Sequence, residues 1–221
     1  MIDRHLVPLV RQAVRPVARI LVRAGISADQ VSILGFALGV GGAAALALGA
    51  HGAGLALILL NRLADALDGE IARLTTPTDR GAFLDIALDF LFYALVPLGF
   101  AIVDPSRNAL PACVLIASFV GTGSSFLAFA TIAERRGMRS LAFPTKGIYY
   151  LGGLTEGAET IALFVAMCLW PQGFPILAYG FALLCAVTTL TRWHHGWTAF
   201  TPQTETVAPG HDAPGGVREA R

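Results

Sequence analysis

The sequence predicts an all-α integral membrane protein, with six transmembrane helices and an amphipathic juxtamembrane helix at the N-terminus. Its composition indicates the membrane: the 221 residues are 55% hydrophobic and only 14% charged, and the mean hydropathy is +0.63. A soluble domain of this size needs more charge to cover its surface. The count of helices comes from six apolar stretches, each near the roughly 20 residues that a helix needs to cross a bilayer.

Residues 1–26 are predicted to form an interfacial helix ahead of the membrane domain. Its arginines fall within about 120° of a helical wheel, and its apolar residues lie mostly elsewhere. Pro8 and Pro16 would kink such a helix, so we expect broken pieces lying on the membrane surface. A solvated basic stem is the alternative interpretation. The arginines on this face are Arg4, Arg11, Arg15, Arg19 and Arg23.

The six spans are predicted within a single domain, residues 27–199. Ser27 marks the start of the first span, because Gln30 follows it at the spacing of a capping box. The second and third spans contain charged residues, and intramembrane charge often marks a functional site. The predicted ranges are 31–50, 55–72, 82–103, 110–132, 153–170 and 175–191.

The basic residues between the spans predict the orientation. They concentrate on one side of the membrane, and the opposite loops hold only Arg107, so the positive-inside rule places both termini in the cytoplasm of an inner-membrane protein. Residues 200–221, rich in Pro, Gly and charge, are predicted to be a disordered cytoplasmic tail. The basic residues on the cytoplasmic side include Arg73, Arg80, Arg135, Arg136, Arg139, Lys146 and Arg192.

Two classes of ligand are disfavoured by composition. The formal net charge is only +1, so the sequence gives no reason to expect nucleic acid as a partner. Cys113, Cys168 and Cys185 lie in apolar runs without CxxC spacing or a nearby His, and are therefore expected to be small buried hydrophobic residues.

Four aspartates in the second and third spans form the most informative pattern. Asp65 and Asp68 are three residues apart on one helix, and Asp85 and Asp89 are four apart on the next. Each pair therefore shares a helix face. Because a short connection makes the two helices antiparallel neighbours, we expect the four carboxylates to converge near the cytoplasmic ends of these helices.

Such a cluster of carboxylates needs a compensating positive charge, because clustered anions repel one another and are costly to desolvate. Hard divalent cations prefer oxygen ligands, and the lack of a nearby His or Cys argues against zinc. We therefore predict Mg²⁺ or Mn²⁺. Structural pairing with arginine and an intramembrane divalent-cation transporter are the alternatives.

The aspartates also carry a family resemblance. The pattern D-x-x-D-G-x-x-A-R, followed by G-x-x-x-D-x-x-x-D, resembles the signature of the CDP-alcohol phosphatidyltransferase family. A bacterial inner-membrane branch of the family is most similar, and it also has a stretch like residues 152–157. Membrane prenyltransferases, another class that binds a pyrophosphate through Asp, have Asp-rich motifs much farther apart. The eight matching positions are Asp65, Asp68, Gly69, Ala72, Arg73, Gly81, Asp85 and Asp89.

The resemblance implies a role for each aspartate. Asp65, Asp68 and Asp85 would ligate two metal ions, with Asp65 and Asp85 touching both. Asp89 would touch one ion and act as the general base that takes the proton from the acceptor hydroxyl. The CDP part of the donor would contact Gly69, Arg73 and Thr78, and at the start of the first span Asp29, Gln30 and Ser32.

The reaction implied by the family is transfer of a phosphatidyl group from CDP-diacylglycerol to an alcohol, with release of CMP, in phospholipid biosynthesis. The family also implies six spans, a juxtamembrane helix and a homodimer. In members with a phosphate-bearing acceptor the last Asp is often followed by Lys or Arg, whereas Phe90 follows Asp89 here. We therefore favour a phosphate-free alcohol, either similar to choline or serine or a polyol.

Two groups of residues are candidates for the acceptor site. Glu156 and Glu159 would suit an ammonium or polyol headgroup, although they could simply be glutamates at the membrane edge. The basic residues Arg135, Arg139 and Lys146 could instead hold an acceptor phosphate. That alternative would make the protein a phosphatidylglycerophosphate-type synthase that uses glycerol 3-phosphate.

Overall fold

The computed structural model describes residues 3–138 and 153–201, with side chains from residue 7 onward. These residues form seven α-helices, with one 3-10 turn, Pro171–Gly173, before the last helix. The helices are α1 (Asp3–Arg23), α2 (Ala28–Ala47), α3 (His51–Leu74), α4 (Asp79–Val103), α5 (Pro105–Arg135), α6 (Gly157–Leu169) and α7 (Phe174–Ala199).

The predicted all-helical class is confirmed, and four helices in the described ranges are long and apolar enough to cross a membrane. These are α2, α4, α5, and α7 with its preceding 3-10 turn. Helix α3 has 24 residues, which is long enough, but its charged side chains exclude it from this apolar group. Helix α6 is apolar but has only 13 residues, about 20 Å at 1.5 Å per residue. The described residues therefore support four of the predicted spans as membrane-crossing helices, and the count of six is not confirmed.

Helix α1 is continuous, so the prediction of broken pieces is wrong. Pro8 and Pro16 lie inside the helix without interrupting it, although each removes a backbone hydrogen-bond donor. Val14 and Ala18 are buried, and Ala18 packs in a cluster with Ala64 of α3. This packing stabilises α1 as one helix despite the two prolines.

Two other helix boundaries are informative. The capping box predicted at the start of α2 is present: the Ser27 N–H donates to Gln30 Oε1 at 2.9 Å, and the Gln30 N–H donates to Ser27 Oγ at 3.3 Å. The fifth predicted span began too early, because residues 153–156 precede α6 and Glu156 is its N-cap. Backbone donors at the start of α6 are satisfied there by carboxylates, which hydropathy cannot reveal.

The positions of α3 and α4 are set by α2, which packs closely against both. Glycines permit this approach: a Cβ at Gly54 of α3 would lie 2.6 Å from Leu46 Cδ2, and one at Gly99 of α4 would lie 2.7 Å from the Ala43 carbonyl oxygen. Real Cβ atoms do not make such contacts, so a larger side chain would push the helices apart.

An aromatic core fills the interior of the bundle along α4, from Phe92 near the aspartates to Phe100. The rings of Phe100 and Phe174 stack with centroids 4.7 Å apart, and Phe92 meets Phe164 edge-on at 6.2 Å. All four side chains are fully buried. Aromatic pairs with these geometries add to the burial of apolar area. This core fixes α4 in place and so fixes the spacing of the carboxylates that project from its other end.

Candidate metal centre

Three of the four predicted aspartates come together between α3 and α4. Asp65, Asp68 and Asp85 each place a carboxylate oxygen so that the three atoms lie within 4.8 Å of one another. The helical spacing of three residues aims Asp65 and Asp68 to one side of α3, towards α4. A cavity of about 20 Å³ lies among them, which exceeds the roughly 10–15 Å³ that one water-sized body requires.

A hydroxyl group orients one of these carboxylates. Ser32 of α2 donates to Asp68 Oδ2 at 2.6 Å, and Asp68 is the most buried of the four aspartates. A short bond to an ionised oxygen is stronger than one between neutral groups. Ser32 was predicted to contact CDP; in this structure it fixes the Asp68 carboxylate.

Asp89 lines the same cavity but pairs with an arginine. Arg62 Nη2 donates to Asp89 Oδ1 at 2.8 Å, and Arg62 Nη1 lies 3.7 Å from Asp65 Oδ1. Arg62 is itself held, because its Nε donates to Asn61 Oδ1 at 2.7 Å and its Cζ lies 4.4 Å from the Phe92 ring centroid. The guanidinium therefore bridges two carboxylates from a fixed position.

The donor set of this centre fits a hard divalent cation. Within the described residues the cluster consists of carboxylate oxygens, with no His or Cys in the group. Oxygen-only sets suit Mg²⁺, Ca²⁺ and Mn²⁺, whereas zinc sites generally include nitrogen or sulfur. Asp65, Asp68 and Asp85 are the residues arranged to hold such an ion, with Asp89 at the edge of the same cavity.

Two predicted nucleotide contacts, Asp29 at the start of α2 and Thr78 at the start of α4, lie close to each other. Asp29 of α2 accepts from Arg80 Nε at 2.8 Å, and Thr78 is the N-cap of α4, where its hydroxyl accepts from the Gly81 N–H at 3.0 Å. A Cβ at Gly81 would lie 3.2 Å from both Asp29 Oδ1 and Thr78 Oγ1. The Gln30 side chain is occupied in the capping box of α2.

The other predicted nucleotide contacts lie on α3, one turn apart. A Cβ at Gly69 would sit 3.5 Å from the outer nitrogens of Arg73, so the missing side chain leaves room for the guanidinium. Arg73 Nε donates to Glu70 Oε2 at 3.0 Å. Glu70 in turn pairs with Arg11 and Arg15 of α1.

Among the described acceptor candidates, Glu156, Glu159 and Arg135 do not line the cavity among the aspartates. Glu156 and Glu159 form a capping box at the start of α6, where Glu156 accepts from the Gly153 N–H and Glu159 from the Glu156 N–H, both at 3.2 Å. These bonds give the two glutamates a structural role. Arg135 is exposed at the end of α5. Arg139 and Lys146 lie outside the described residues.

Three residues at this end of the bundle were not predicted as site residues. Asn61 and Arg62 line the cavity, and their spacing of three and four residues before Asp65 could have indicated it. Arg192 of α7 was considered only as a flanking charge. It is 8% exposed, and its Nη1 donates to the Thr122 carbonyl at 2.9 Å. No sequence pattern marked it, because its burial depends on the packing of α5 on α7.

Most of this chain resembles known proteins. Residues 26–193 match the CDP-alcohol phosphatidyltransferase family. The inner membrane protein YnjF of Escherichia coli (strain K12) is 50% identical over 197 residues, which covers 89% of this chain and 96% of that protein. Archaetidylinositol phosphate synthase of Methanothermobacter thermautotrophicus is 28% identical over 160 residues, 72% of this chain and 73% of the relative.

The fold is also similar to solved structures of Mycobacterium tuberculosis phosphatidylinositol phosphate synthase. The crystal structure in complex with manganese and citrate has a TM-score of 0.68 and 26% identity, covering 86% of this chain and 92% of that one. The structure with CDP-DAG bound has a TM-score of 0.70 and 24% identity, covering 87% and 99%. The helical arrangement is therefore similar to that of these synthase structures.

Proposed function

Because the chain belongs to the CDP-alcohol phosphatidyltransferase family, we propose that it transfers a phosphatidyl group from CDP-diacylglycerol to the hydroxyl of an alcohol, with release of CMP. The observation that carries this proposal is the cluster of Asp65, Asp68 and Asp85, whose oxygens lie within 4.8 Å of one another, with Asp89 beside them. A divalent-cation transporter, the alternative class, has no support from the family.

Metal binding is proposed at the carboxylates. Asp65, Asp68 and Asp85 would hold Mg²⁺ or Mn²⁺, and Asp89 would complete a second position, as the family resemblance implies. Bound divalent metal would screen the charge of the donor diphosphate and stabilise the departing CMP. The similarity to an enzyme solved with manganese supports a divalent ion.

Asp89 is the proposed general base. It would accept the proton of the acceptor hydroxyl while that oxygen bonds to the lipid-side phosphorus, and the bond from that phosphorus to CMP breaks. Arg62 holds the Asp89 carboxylate by a 2.8 Å hydrogen bond. A base held in one place needs little further ordering when the acceptor arrives.

The donor would bind with its nucleotide at the aqueous edge and its acyl chains in the bilayer. The proposed contacts for CDP lie around the ends of α2, α3 and α4; they are Gly69, Arg73, Thr78, Asp29, Gln30 and Ser32. We propose that α3 and α6 complete six spans, with this end of the bundle cytoplasmic. A homodimer is proposed from the family resemblance.

A phosphorylated polyol is the proposed acceptor. Two of the similar proteins are named as synthases of archaetidylinositol phosphate and phosphatidylinositol phosphate. Arg192, a buried guanidinium beside Thr122, is a candidate to hold the acceptor phosphate, because a buried charge inside a membrane protein commonly serves function. Thr122 adjoins Gly123, at which a Cβ would overlap the ring of Phe90, so this region borders Asp89.

A phosphate-free alcohol is the second candidate. Phe90 favours it, because Phe90 occupies the position at which Lys or Arg often stands in members with a phosphate-bearing acceptor. Under this reading Glu156 and Glu159 would lie near an ammonium or polyol headgroup. The remaining alternative is a phosphatidylglycerophosphate-type synthase. Its acceptor would be glycerol 3-phosphate, with the phosphate near Arg135, Arg139 and Lys146.

The decisive experiment supplies purified protein with CDP-diacylglycerol, Mn²⁺ or Mg²⁺, and one alcohol at a time. The panel contains inositol phosphate, inositol, glycerol 3-phosphate, serine and choline. We expect metal-dependent CMP release with inositol phosphate, and a lipid product of matching mass. A product only with a phosphate-free alcohol would select the second candidate. Lack of CMP release with every alcohol, or equal release after chelation, would contradict the proposed reaction.

A further inference from the structure

A second polar cavity lies between α1 and the last turns of α3. It measures about 300 Å³ and is lined mainly by Arg11, Gln12, Arg15, Glu70 and Arg73. This volume far exceeds the roughly 10–15 Å³ needed for one water, so it can admit a phosphate group. Glu70 faces this cavity and is absent from the cavity lined by the four aspartates.

The charges around this cavity are unbalanced. Three arginines surround one carboxylate: Arg73 Nε lies 3.0 Å from Glu70, Arg15 Nε 3.5 Å and Arg11 Nε 3.6 Å. Three positive charges and one negative charge leave an excess of two. Each guanidinium also carries five N–H donors, more than the two oxygens of Glu70 can accept. The lining therefore has charge and donors for a further anion.

The outer surface of α1 indicates where that anion comes from. Three apolar side chains of this arginine-rich helix are exposed: Leu9 by 63%, Val17 by 47% and Ile20 by 63%. A helix with exposed apolar residues and arginines lies in the membrane interface, at the depth of the lipid headgroups. The anions concentrated at that depth are lipid phosphates.

We propose that the cavity between α1 and α3 binds the phosphate of an anionic membrane lipid. Arg11 and Arg15 would engage its oxygens, since guanidinium pairs with phosphate through two parallel hydrogen bonds. Glu70, whose side chain is 7% exposed, gathers the arginines from both helices around one point. Bound lipid would then link α1 to the end of α3.

The test measures binding of single lipids to the full-length protein in a neutral detergent by native mass spectrometry. Phosphatidylglycerol is compared with phosphatidylcholine and, separately, with inorganic phosphate. We expect one phosphatidylglycerol to be retained in preference to phosphatidylcholine. Binding of inorganic phosphate with no preference for phosphatidylglycerol would overturn the lipid as the ligand.

Matched variants locate the site. Arg11→Gln with Arg15→Gln should weaken phosphatidylglycerol binding about 100-fold, since two charge-assisted hydrogen bonds are removed. The control, Arg19→Gln with Arg23→Gln, changes the charge of α1 equally but lies outside the cavity lining, and should alter binding within about threefold. Equal losses in the two double variants, or no loss in the first, would overturn the site.

Glu70→Gln provides an independent check that does not require loss of binding. It removes the carboxylate that competes for the arginines and raises the excess charge from two to three. Phosphatidylglycerol should then bind about tenfold more tightly, because the arginines gain about one charge-assisted hydrogen bond to the lipid phosphate. A thermal unfolding midpoint recorded for each variant without lipid verifies folding. Unchanged or weaker binding in folded Glu70→Gln would contradict the proposed cavity.

Discussion

Helices α3 and α4 each have an apolar end, which packs in the core, and a carboxylate end, which forms the candidate metal site. Ile58 of α3 and Phe100 of α4 are fully buried among other apolar side chains. Asp65 lies two turns beyond Ile58 on the same helix, and Asp89 lies three turns before Phe100. The close packing at one end holds the like charges at the other at a fixed spacing. Substitutions at the two ends should therefore separate stability from chemistry.

The largest effect is expected at Asp89. Asp89→Asn keeps the shape of the side chain but removes the proposed base, so turnover should fall by about 10²–10⁴-fold. Binding of CDP-diacylglycerol should remain, because the other three carboxylates are untouched. Single-turnover CMP release and equilibrium binding of the donor measure the two properties. Lost donor binding together with normal turnover of bound molecules would refute the assignment of Asp89.

At Asp65 the expected loss is in metal affinity. Asp65→Asn removes one of three clustered carboxylates, and Mn²⁺ should bind at least about 100-fold more weakly, since even outer partners of metal ligands cost 10–100-fold. Unfolding should not become easier, because like-charge repulsion is relieved. Electron paramagnetic resonance of added Mn²⁺ gives the affinity. Unchanged Mn²⁺ binding would place the ion elsewhere.

Ile58→Ala is the counterpart at the apolar end of α3. It should lower the free energy of unfolding by about 2–5 kcal/mol, through lost contacts and the cavity left behind. Mn²⁺ affinity should stay the same, since Ile58 lines neither polar cavity. Unfolding in detergent, followed by circular dichroism, measures the first quantity. A loss of Mn²⁺ binding equal to that of Asp65→Asn would show that the two ends are not separable.

The smallest effect is expected from Ser32. Ser32→Ala removes the 2.6 Å hydrogen bond to Asp68 and should weaken Mn²⁺ binding about tenfold. Ser124, whose hydroxyl donates to the carbonyl of Gly121 in α5, supplies the control: Ser124→Ala should leave the affinity unchanged. Equal behaviour of the two variants would show that Ser32 does not orient Asp68.

The sequence was most informative where structure follows from local spacing. The capping box of Ser27 and Gln30 placed the start of α2, and the intervals between the aspartates placed them on facing helix sides. Features that depend on contacts between distant segments were not accessible. The continuity of α1 rests on packing of Ala18 with α3, and the pairing of Arg62 with Asp89 depends on how α2 positions both α3 and α4.

The glutamates of α6 illustrate a different limit. Two acids in an apolar stretch suggested a ligand site, and the same spacing of three residues is also that of a helix cap. The folded structure distinguishes the two uses, because the carboxylates of Glu156 and Glu159 accept from backbone N–H groups. The convergence of the aspartates was easier to predict, because four acids on two helices exceed what capping requires.

The position of Arg62 bears on how the protein is made. Without a bound ion, the clustered carboxylates of a newly synthesised chain would resist leaving water. Arg62, which stacks on Phe92 and donates to Asp89, is a counter-ion in the same chain and is therefore present from the start. The helices would consequently assemble before the proposed ion binds, so we expect removal and return of that ion to be reversible without refolding the protein.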